Sequence, residues 1–106
     1  LFKTENSFTL FLIAGDKKAS LNKIKKKLNI KDVSMATAND VKNITGYTIG
    51  GVAPIGHLNK IDIFIDNSLE RFKSLFAAAG HPNCVFKIDF KNLQKITNGS
   101  IEEITE

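Results

Sequence analysis

The chain has 106 residues, of which 42% are hydrophobic and 25% are charged, and its formal net charge is +4. This length and composition predict one soluble domain with a modest core, and no apolar run approaches the ~18 residues needed to span a membrane. No signal-peptide pattern opens the chain, and the single cysteine, Cys84, excludes an internal disulfide, so the sequence favours a cytoplasmic protein.

The chain begins with two predicted strands. Residues 7–13 are almost continuous in Phe, Leu and Ile, which predicts a strand buried on both faces near the centre of a sheet. Residues 1–2 would end a preceding strand, and residues 5–7 would form the turn between the two. The chain starts abruptly and without Met, so we expect that an N-terminal segment is missing.

A lysine-rich helix follows these strands. Ser20 is a suitable N-cap, and apolar residues recur at helical spacing over residues 20–29. The densest charge cluster of the chain lies here and comprises Lys17, Lys18, Lys23, Lys25, Lys26 and Lys27. Such a face is usually only solvated, yet the same lysines could make salt-sensitive contacts with the phosphates of a polyanion. Residues 33–36 would add a short strand.

A second short helix leads into a glycine-rich loop. Thr37 and Asp40 resemble a capping box, and Gly46 would end this helix. The loop, residues 45–57, reads TGYTIGGVAPIGH and holds four of the seven glycines and one of the two prolines. Loops of this kind often present backbone N–H groups to an anion or oxyanion. The alternative is a long connection that needs glycine only to turn.

A half-buried strand is predicted after the loop. Residues 61–66 alternate between apolar and acidic side chains, which places Asp62 and Asp66 on one face. Paired catalytic carboxylates are one interpretation of this spacing. An aspartate at the end of a strand more often caps the following turn.

The remainder of the chain is predicted to hold further short elements. Apolar spacing over residues 67–79 fits a helix, but residues 74–79 could equally form a strand, so we expect a short helix at 68–72 and a strand after it. A turn at 80–83 and a strand at 85–90 would follow. Cys84 would be buried and inert beside this last strand. Asp89 would cap a helix that runs through Ile96, and the acidic tail, residues 99–106, would be frayed or form a half-turn.

The order of strands and short helices, without regular βαβ alternation, indicates an α+β fold with a mixed or antiparallel sheet. The chemical motifs are few. His57 and His81 are the only histidines and lack the spacing of metal ligands. Neither a nucleophile elbow nor a phosphate-binding loop is present.

The loop motif TGYxxGGxxPxG resembles the central loop of the YbaK/ProX family, an aminoacyl-tRNA editing domain that is also inserted in bacterial prolyl-tRNA synthetases. Residues 12–18 (LIAGDKK), 63–66 (IFID) and 78–82 (AAGHP) also match the family pattern, so the resemblance covers about residues 1–93. It implies one domain over residues 1–106, with a mixed, mostly antiparallel, partly closed sheet surrounded by short helices.

The resemblance also implies a function. Family members hydrolyse the ester between a wrong amino acid and tRNA, here a small amino acid on tRNA(Pro), with water as the nucleophile and without a cofactor or metal. The catalytic residues would be Gly50, Gly51 and His81. The residues implied to bind the substrate are Thr45, Gly46, Tyr47, Val52, Ala53, Pro54, Gly56 and His57. The acceptor end of tRNA would lie near Lys17, Lys18 and Lys23, and an aminoacyl-tRNA synthetase is a second candidate partner.

One departure from the family pattern concerns its functional lysine, which stands in a Lys-Thr or Lys-Ser pair on the first strand. Lys3 and Thr4 imitate this pair, but the alignment places Lys3 in the turn after that strand and places the family lysine before Leu1. The departure keeps a second hypothesis open, in which the domain binds tRNA or a small anion through the same loop without catalysis.

Overall fold

The fold is α+β, as the sequence predicts. The computed structural model of the protein describes residues 1–5, 7–81 and 83–106. These residues form strands β1 (Phe2–Thr4), β2 (Ser7–Leu12), β3 (Val33–Met35), β4 (Asp62–Asp66), β5 (Leu75–Ala78), β6 (Val85–Ile88) and β7 (Ser100–Glu102). They also form helices α1 (Leu21–Leu28), α2 (Ala38–Thr45) and α3 (Phe90–Thr97), together with a 3₁₀ helix at Asn67–Arg71.

The strands make a five-stranded sheet in the order β3-β1-β2-β4-β7, and β5 and β6 form a separate hairpin. β1 runs antiparallel to both β2 and β3, and the hairpin is antiparallel, whereas β2–β4 and β4–β7 are parallel pairs. This confirms a mixed, mostly antiparallel arrangement. β2 lies at the centre, which explains why its sequence is apolar on both faces.

Two hydrophobic clusters cover the two faces of the sheet. On one face, Phe11 and Ile24 are buried with Ile104, and α1 covers this cluster. On the other face, Ile65 and Leu93 are buried with the 3₁₀ helix, α3 and the hairpin packed around them. Since side chains alternate along each strand, β2 and β4 contribute to both clusters.

Capping groups set the helix starts at the predicted positions. Ser20, Thr37 and Asp89 each accept a hydrogen bond from a backbone N–H three residues later. The capping box at α2 is complete, because Asp40 also accepts from the Thr37 N–H. Asp66 caps the 3₁₀ helix by accepting from Ser68 N–H, as an aspartate at a strand end often does.

The predictions of turns at residues 5–7 and 80–83 fall partly on Asn6 and Pro82, which lie outside the described residues. No helix in the described ranges is both long and apolar enough to cross a bilayer.

The expectation of a frayed tail was wrong. Residues 100–102 form β7 in parallel with β4, and Ile104 and Thr105 are buried, at 1% and 5% exposure. The segment beyond β7 is fixed by several contacts: Ile104 N–H and the Thr105 hydroxyl donate to the buried Asp66 carboxylate, and Thr105 bridges Ala19. Local polarity misled the prediction because the stabilising partners lie far away in sequence.

Two predictions around β6 also need correction. Cys84 is exposed in the turn rather than buried in a strand, and its N–H donates to the His81 carbonyl. β6 ends at Ile88, because Asp89 leaves the strand to cap α3 and Phe90 begins that helix.

Candidate functional site

The glycine-rich loop is closed at its base on the C-terminal end of α2. Thr45 is 1% exposed, its hydroxyl donates to the Val41 carbonyl at 2.6 Å, and it accepts from Tyr47 N–H at 3.0 Å. From the far end, Leu58 N–H donates to the Thr45 carbonyl at 3.1 Å. Gly46 adopts φ +82° as the cap of α2, a conformation that glycine accepts without strain. Both ends of the loop are therefore fixed.

The tip of the loop is a tight turn. Gly51 N–H donates to the Thr48 carbonyl at 2.9 Å, and Gly50 adopts φ +85°. Ala53 and Pro54 are buried behind the turn, whereas Gly50 is exposed. Among the described residues, the N–H groups of Gly50 and Val52 have no acceptor within the chain. The loop therefore offers backbone donors close to its tip.

Tyr47 holds the loop against the turn of the β5–β6 hairpin. Its hydroxyl donates to the Ile55 carbonyl at 2.8 Å. A Cβ added to Gly56 would lie 2.7 Å from the Tyr47 hydroxyl, and one added to Gly80 would lie 3.2 Å from the ring. Glycine is needed at both positions because the ring lies so close to the backbone. The sequence motif includes Tyr47, but the motif alone could not predict that this side chain contacts Gly56 and Gly80.

The two histidines occupy different settings. His57 is half-buried, lies edge-on to Tyr47 at 6.0 Å between ring centroids, and donates from Nε2 to the Ala53 carbonyl at 2.7 Å. His81 is exposed, and its Nδ1 accepts from Asn83 N–H at 3.2 Å. Thus His57 braces the loop from within, while His81 lies on the hairpin turn.

A large apolar cavity lies beside the loop, with a volume of about 750 Å³. Val52 and Pro54 form its loop wall, β2 supplies its floor through residues 10–12, and β5 and Leu93 close the other sides. The sequence did not predict this contribution of β2 and β5, since a cavity between distant segments leaves no local pattern. The lining suits an apolar side chain.

A smaller concavity of about 340 Å³ lies on the opposite side of Val52. Gly50, Leu1 and Ala36 are among its lining residues. Val52 therefore lines both concavities, and Gly50 lines the smaller one.

An ion pair marks the mouth of the larger cavity. Arg71 donates to both carboxylate oxygens of Asp16, at 2.7 and 2.8 Å, and its guanidinium lies 4.5 Å from the centre of the Phe72 ring. Asp16 and Phe72 both line the cavity. The pair joins positions 55 residues apart, so no local signal could have revealed it.

The lysine cluster is partly neutralised by the C-terminal segment. Lys23 Nζ donates to the Thr105 carbonyl at 2.7 Å and lies 3.5 Å from Glu103, and Lys27 lies 3.2 Å from Glu102. Lys17 is half-buried and Lys18 is exposed in the turn before α1. Part of the lysine face of α1 is therefore paired with carboxylates.

Lys3 lies within β1, so the expectation that it belongs to a turn was wrong. It lines a surface groove with Glu5, Lys25 and Asp32. Neither concavity next to the loop includes Lys3 in its lining. Within the described ranges, no three His, Cys, Asp or Glu side chains are grouped closely enough to hold a metal ion.

Asp66 is fully buried at the end of β4, where its carboxylate accepts hydrogen bonds from three residues. Burial by itself raises the pKa of this carboxyl group, but hydrogen bonds from Ser68, Ile104 and Thr105 outweigh burial and hold the pKa below its ordinary value. Asp62, on the same face of β4, is exposed. Asp66 therefore caps the 3₁₀ helix, as the second interpretation of this spacing expects. The two carboxylates differ in environment, since Asp66 is buried and Asp62 is exposed.

Comparison with known proteins connects this chain to tRNA editing. A family model described as an aminoacyl-tRNA editing domain matches residues 1–96. The proline–tRNA ligase of Caldicellulosiruptor bescii is 33% identical over 95 residues, which cover 86% of this chain and 16% of that protein. A protein of Enterococcus faecalis, EbsC, proposed to be a Cys-tRNA(Pro)/Cys-tRNA(Cys) deacylase, is 27% identical over 89% of this chain and 57% of its own length.

Solved structures agree with these sequence matches. A crystal structure proposed to be a trans-editing enzyme for prolyl tRNA synthetase superposes with a TM-score of 0.94 at 30% identity, over 99% of this chain and 66% of that one. The chain thus spans about one sixth of the ligase and little more than half of EbsC.

Proposed function

Because the chain belongs to the family of aminoacyl-tRNA editing domains, we propose that it hydrolyses the ester of a mischarged aminoacyl-tRNA. The observation that carries the proposal is the fixed loop, residues 45–57, in which Val52 lines both concavities and Gly50 lines the smaller one. The apolar side chain of the amino acid would enter the larger cavity, and the ester would lie at the loop tip.

The proposed chemistry needs only water and fixed donors. Water adds to the ester carbonyl, and the tetrahedral oxyanion accepts hydrogen bonds from backbone N–H groups at the loop tip. Collapse breaks the bond between the carbonyl carbon and the ribose oxygen, which takes up the proton that water gives up and leaves as a hydroxyl. Since the Gly51 N–H is already bonded to Thr48, the proposal assigns the N–H groups of Gly50 and Val52 to the oxyanion. Fixed donors stabilise the transition state without reorganisation.

The remaining sequence-derived residues take supporting roles in this proposal. Thr45, Gly46 and Tyr47 hold the loop, and His57 orients the Ala53 carbonyl. Pro54 forms part of the pocket wall. The exposed His81 would approach the substrate from the hairpin turn. A small amino acid on tRNA(Pro) is the substrate that the relationship to prolyl-tRNA ligases favours.

A non-catalytic module that binds tRNA or a small anion is the second candidate. It is favoured by the position of Lys3, which is absent from the described lining of both concavities beside the loop, so that the lysine of the family pattern has no counterpart there. Turnover of a mischarged tRNA separates the two candidates.

The decisive experiment compares two alanine substitutions at positions of positive φ. Gly50→Ala and Asn98→Ala each place alanine at a positive φ, +85° and +53°, and such strain costs about 1–2 kcal/mol. Only Gly50 lies at the proposed site, while Asn98 ends α3. Alanine keeps the backbone N–H, so Gly50→Ala would act by moving this donor out of place, and loss of an oxyanion donor typically costs about 10²–10³ in rate.

We therefore expect Gly50→Ala to hydrolyse alanyl-tRNA(Pro) at least about 100-fold more slowly, with Asn98→Ala close to the wild type. Thermal unfolding of both variants reports whether each is folded at the assay temperature. Equal activity of the two folded variants would show that the loop tip is not the catalytic site, and steady tRNA binding without turnover by the wild type would establish the binding module.

A further inference from the structure

We infer that the outer face of the β5–β6 hairpin binds the single-stranded 3′ end of the RNA substrate, with a base stacked on Phe76. This inference rests on the proposed function, because it identifies the surface on which the nucleotides next to the aminoacyl group lie. It differs from the expectation that tRNA lies on the lysine face of α1.

Phe76 is a phenylalanine whose ring is largely exposed to solvent. Alternation along β5 directs Leu75 into the core and leaves Phe76 69% exposed. Phe76 nevertheless lines the mouth of the larger cavity. An exposed aromatic ring gains little from folding, but it can stack on a base, and stacking tolerates every base because each has a π face.

Cations stand next to this ring. Lys87 is the direct cross-strand partner of Phe76, so both side chains lie on the outer face of the hairpin. Lys73 is exposed between Phe72 and Ser74, which both line the cavity. Among the described residues, neither lysine forms an ion pair, and Asp16 at the same mouth is bound to Arg71. The positive charges of Lys73 and Lys87 are therefore available to bind phosphates.

The face of α1 is less suitable for the same role because none of its lysines lines either concavity beside the loop, although Lys25 and Lys26 form no ion pair among the described residues. Lys23 and Lys27 are paired with Glu103 and Glu102, and these carboxylates would repel an RNA backbone. A single-stranded 3′ end also has to reach the cavity that receives the amino acid. An exposed aromatic ring with adjacent unpaired lysines at the cavity mouth has the chemistry of a single-strand binding surface.

The test measures binding of two fluorescent RNA hairpins that differ only in a single-stranded 3′ overhang. Phe76→Ala is expected to weaken binding of the overhang hairpin by about 5-fold or more and to leave binding of the blunt hairpin unchanged. Phe76→Tyr keeps an aromatic ring and should retain wild-type affinity. Ile101→Ala is the matched control, since Ile101 is also exposed on a strand but borders neither concavity beside the loop.

Lys87→Gln provides an independent variant. It should weaken binding and reduce the slope of log affinity against log salt by about one. Thermal unfolding confirms that each variant is folded, which is expected because both side chains are exposed.

The outcomes separate the inference from the function on which it rests. If Phe76→Ala binds the overhang hairpin as tightly as the wild type, the stacking surface is refuted while the editing proposal stands. If the wild type binds neither hairpin and hydrolyses no mischarged tRNA, both fail. Selective loss in Phe76→Ala, with retention in Phe76→Tyr, supports the inference.

Discussion

The buried carboxylate of Asp66 offers a test of how the C-terminal segment is held. Its Oδ1 accepts from Ile104 N–H at 3.0 Å, and its Oδ2 accepts from Ser68 N–H at 3.2 Å and from the Ser68 hydroxyl. Thr105 donates to both oxygens at 3.3 Å. The carboxylate therefore joins β4, the 3₁₀ helix and the tail.

Asp66→Asn replaces one acceptor oxygen by an NH₂ donor. Whichever way the amide turns, its NH₂ group faces a backbone N–H, of either Ile104 or Ser68, and that donor loses its acceptor. Losing a charge-assisted bond and leaving a buried donor unpaired costs about 2–4 kcal/mol. For a domain of this size, that corresponds to a fall in Tm of about 10 °C or more.

Asp62→Asn is the matched control, because Asp62 lies on the same face of the same strand but is exposed. We expect its free energy of unfolding to change by less than about 0.5 kcal/mol. Urea unfolding of both variants, followed by circular dichroism, measures the difference. Equal stabilities of the two variants would contradict the role assigned to Asp66.

The pH dependence gives a second measurement on the same group. The pKa of Asp66 is lowered in the folded protein from its ordinary value of 3.8, so the unfolded state binds the proton more tightly. The stabilisation is fully present above the unfolded-state pKa and is lost as the pH falls through the folded-state pKa. Below pH 4, the wild type should therefore lose more stability than Asp66→Asn does. Parallel acid profiles would refute the argument.

Two further substitutions test the loop and the tail. Gly56→Ala should destabilise the protein by about 1–3 kcal/mol, since the added methyl group would meet the Tyr47 hydroxyl at 2.7 Å and alanine would adopt φ +76°. A Tyr47→Phe background should relieve part of this cost. If the two substitutions are additive in a double-mutant cycle, the two groups do not meet. Ile104→Ala should cost about 2–5 kcal/mol, because Ile104 is 1% exposed in the core, and a value as small as that for the exposed Ile101→Ala would restore a frayed tail.

Elements with local signals could be predicted from the sequence. Ser20, Thr37 and Asp89 cap helices through hydrogen bonds that span three residues, so their patterns are complete within a short window. The alternation of β4 and the apolar run of β2 likewise reflect their positions in the sheet. The long loop motif identified the family because its glycines and proline occupy fixed places along one segment.

Features that depend on distant partners could not be predicted in this way. The acidic tail became β7 because β4 offered a free edge and Asp66 offered an acceptor, 38 residues before Ile104. The pairing of Lys27 could not be predicted for the same reason, because its partner Glu102 belongs to that tail. Cys84 was predicted to be buried because a strand follows it, whereas it is exposed in the turn before that strand.

The rigidity of the loop follows from contacts at three places, and these bear directly on the proposed chemistry. The base is closed on α2 through Thr45 and Leu58, the tip is closed by the turn from Thr48 to Gly51, and Tyr47 joins the middle to the hairpin. A backbone donor stabilises an oxyanion most when it does not have to move during the reaction. A site built from backbone N–H groups cannot be adjusted by changing a side chain, so its precision depends on these braces. We therefore expect Tyr47→Ala to lower kcat more than it raises KM.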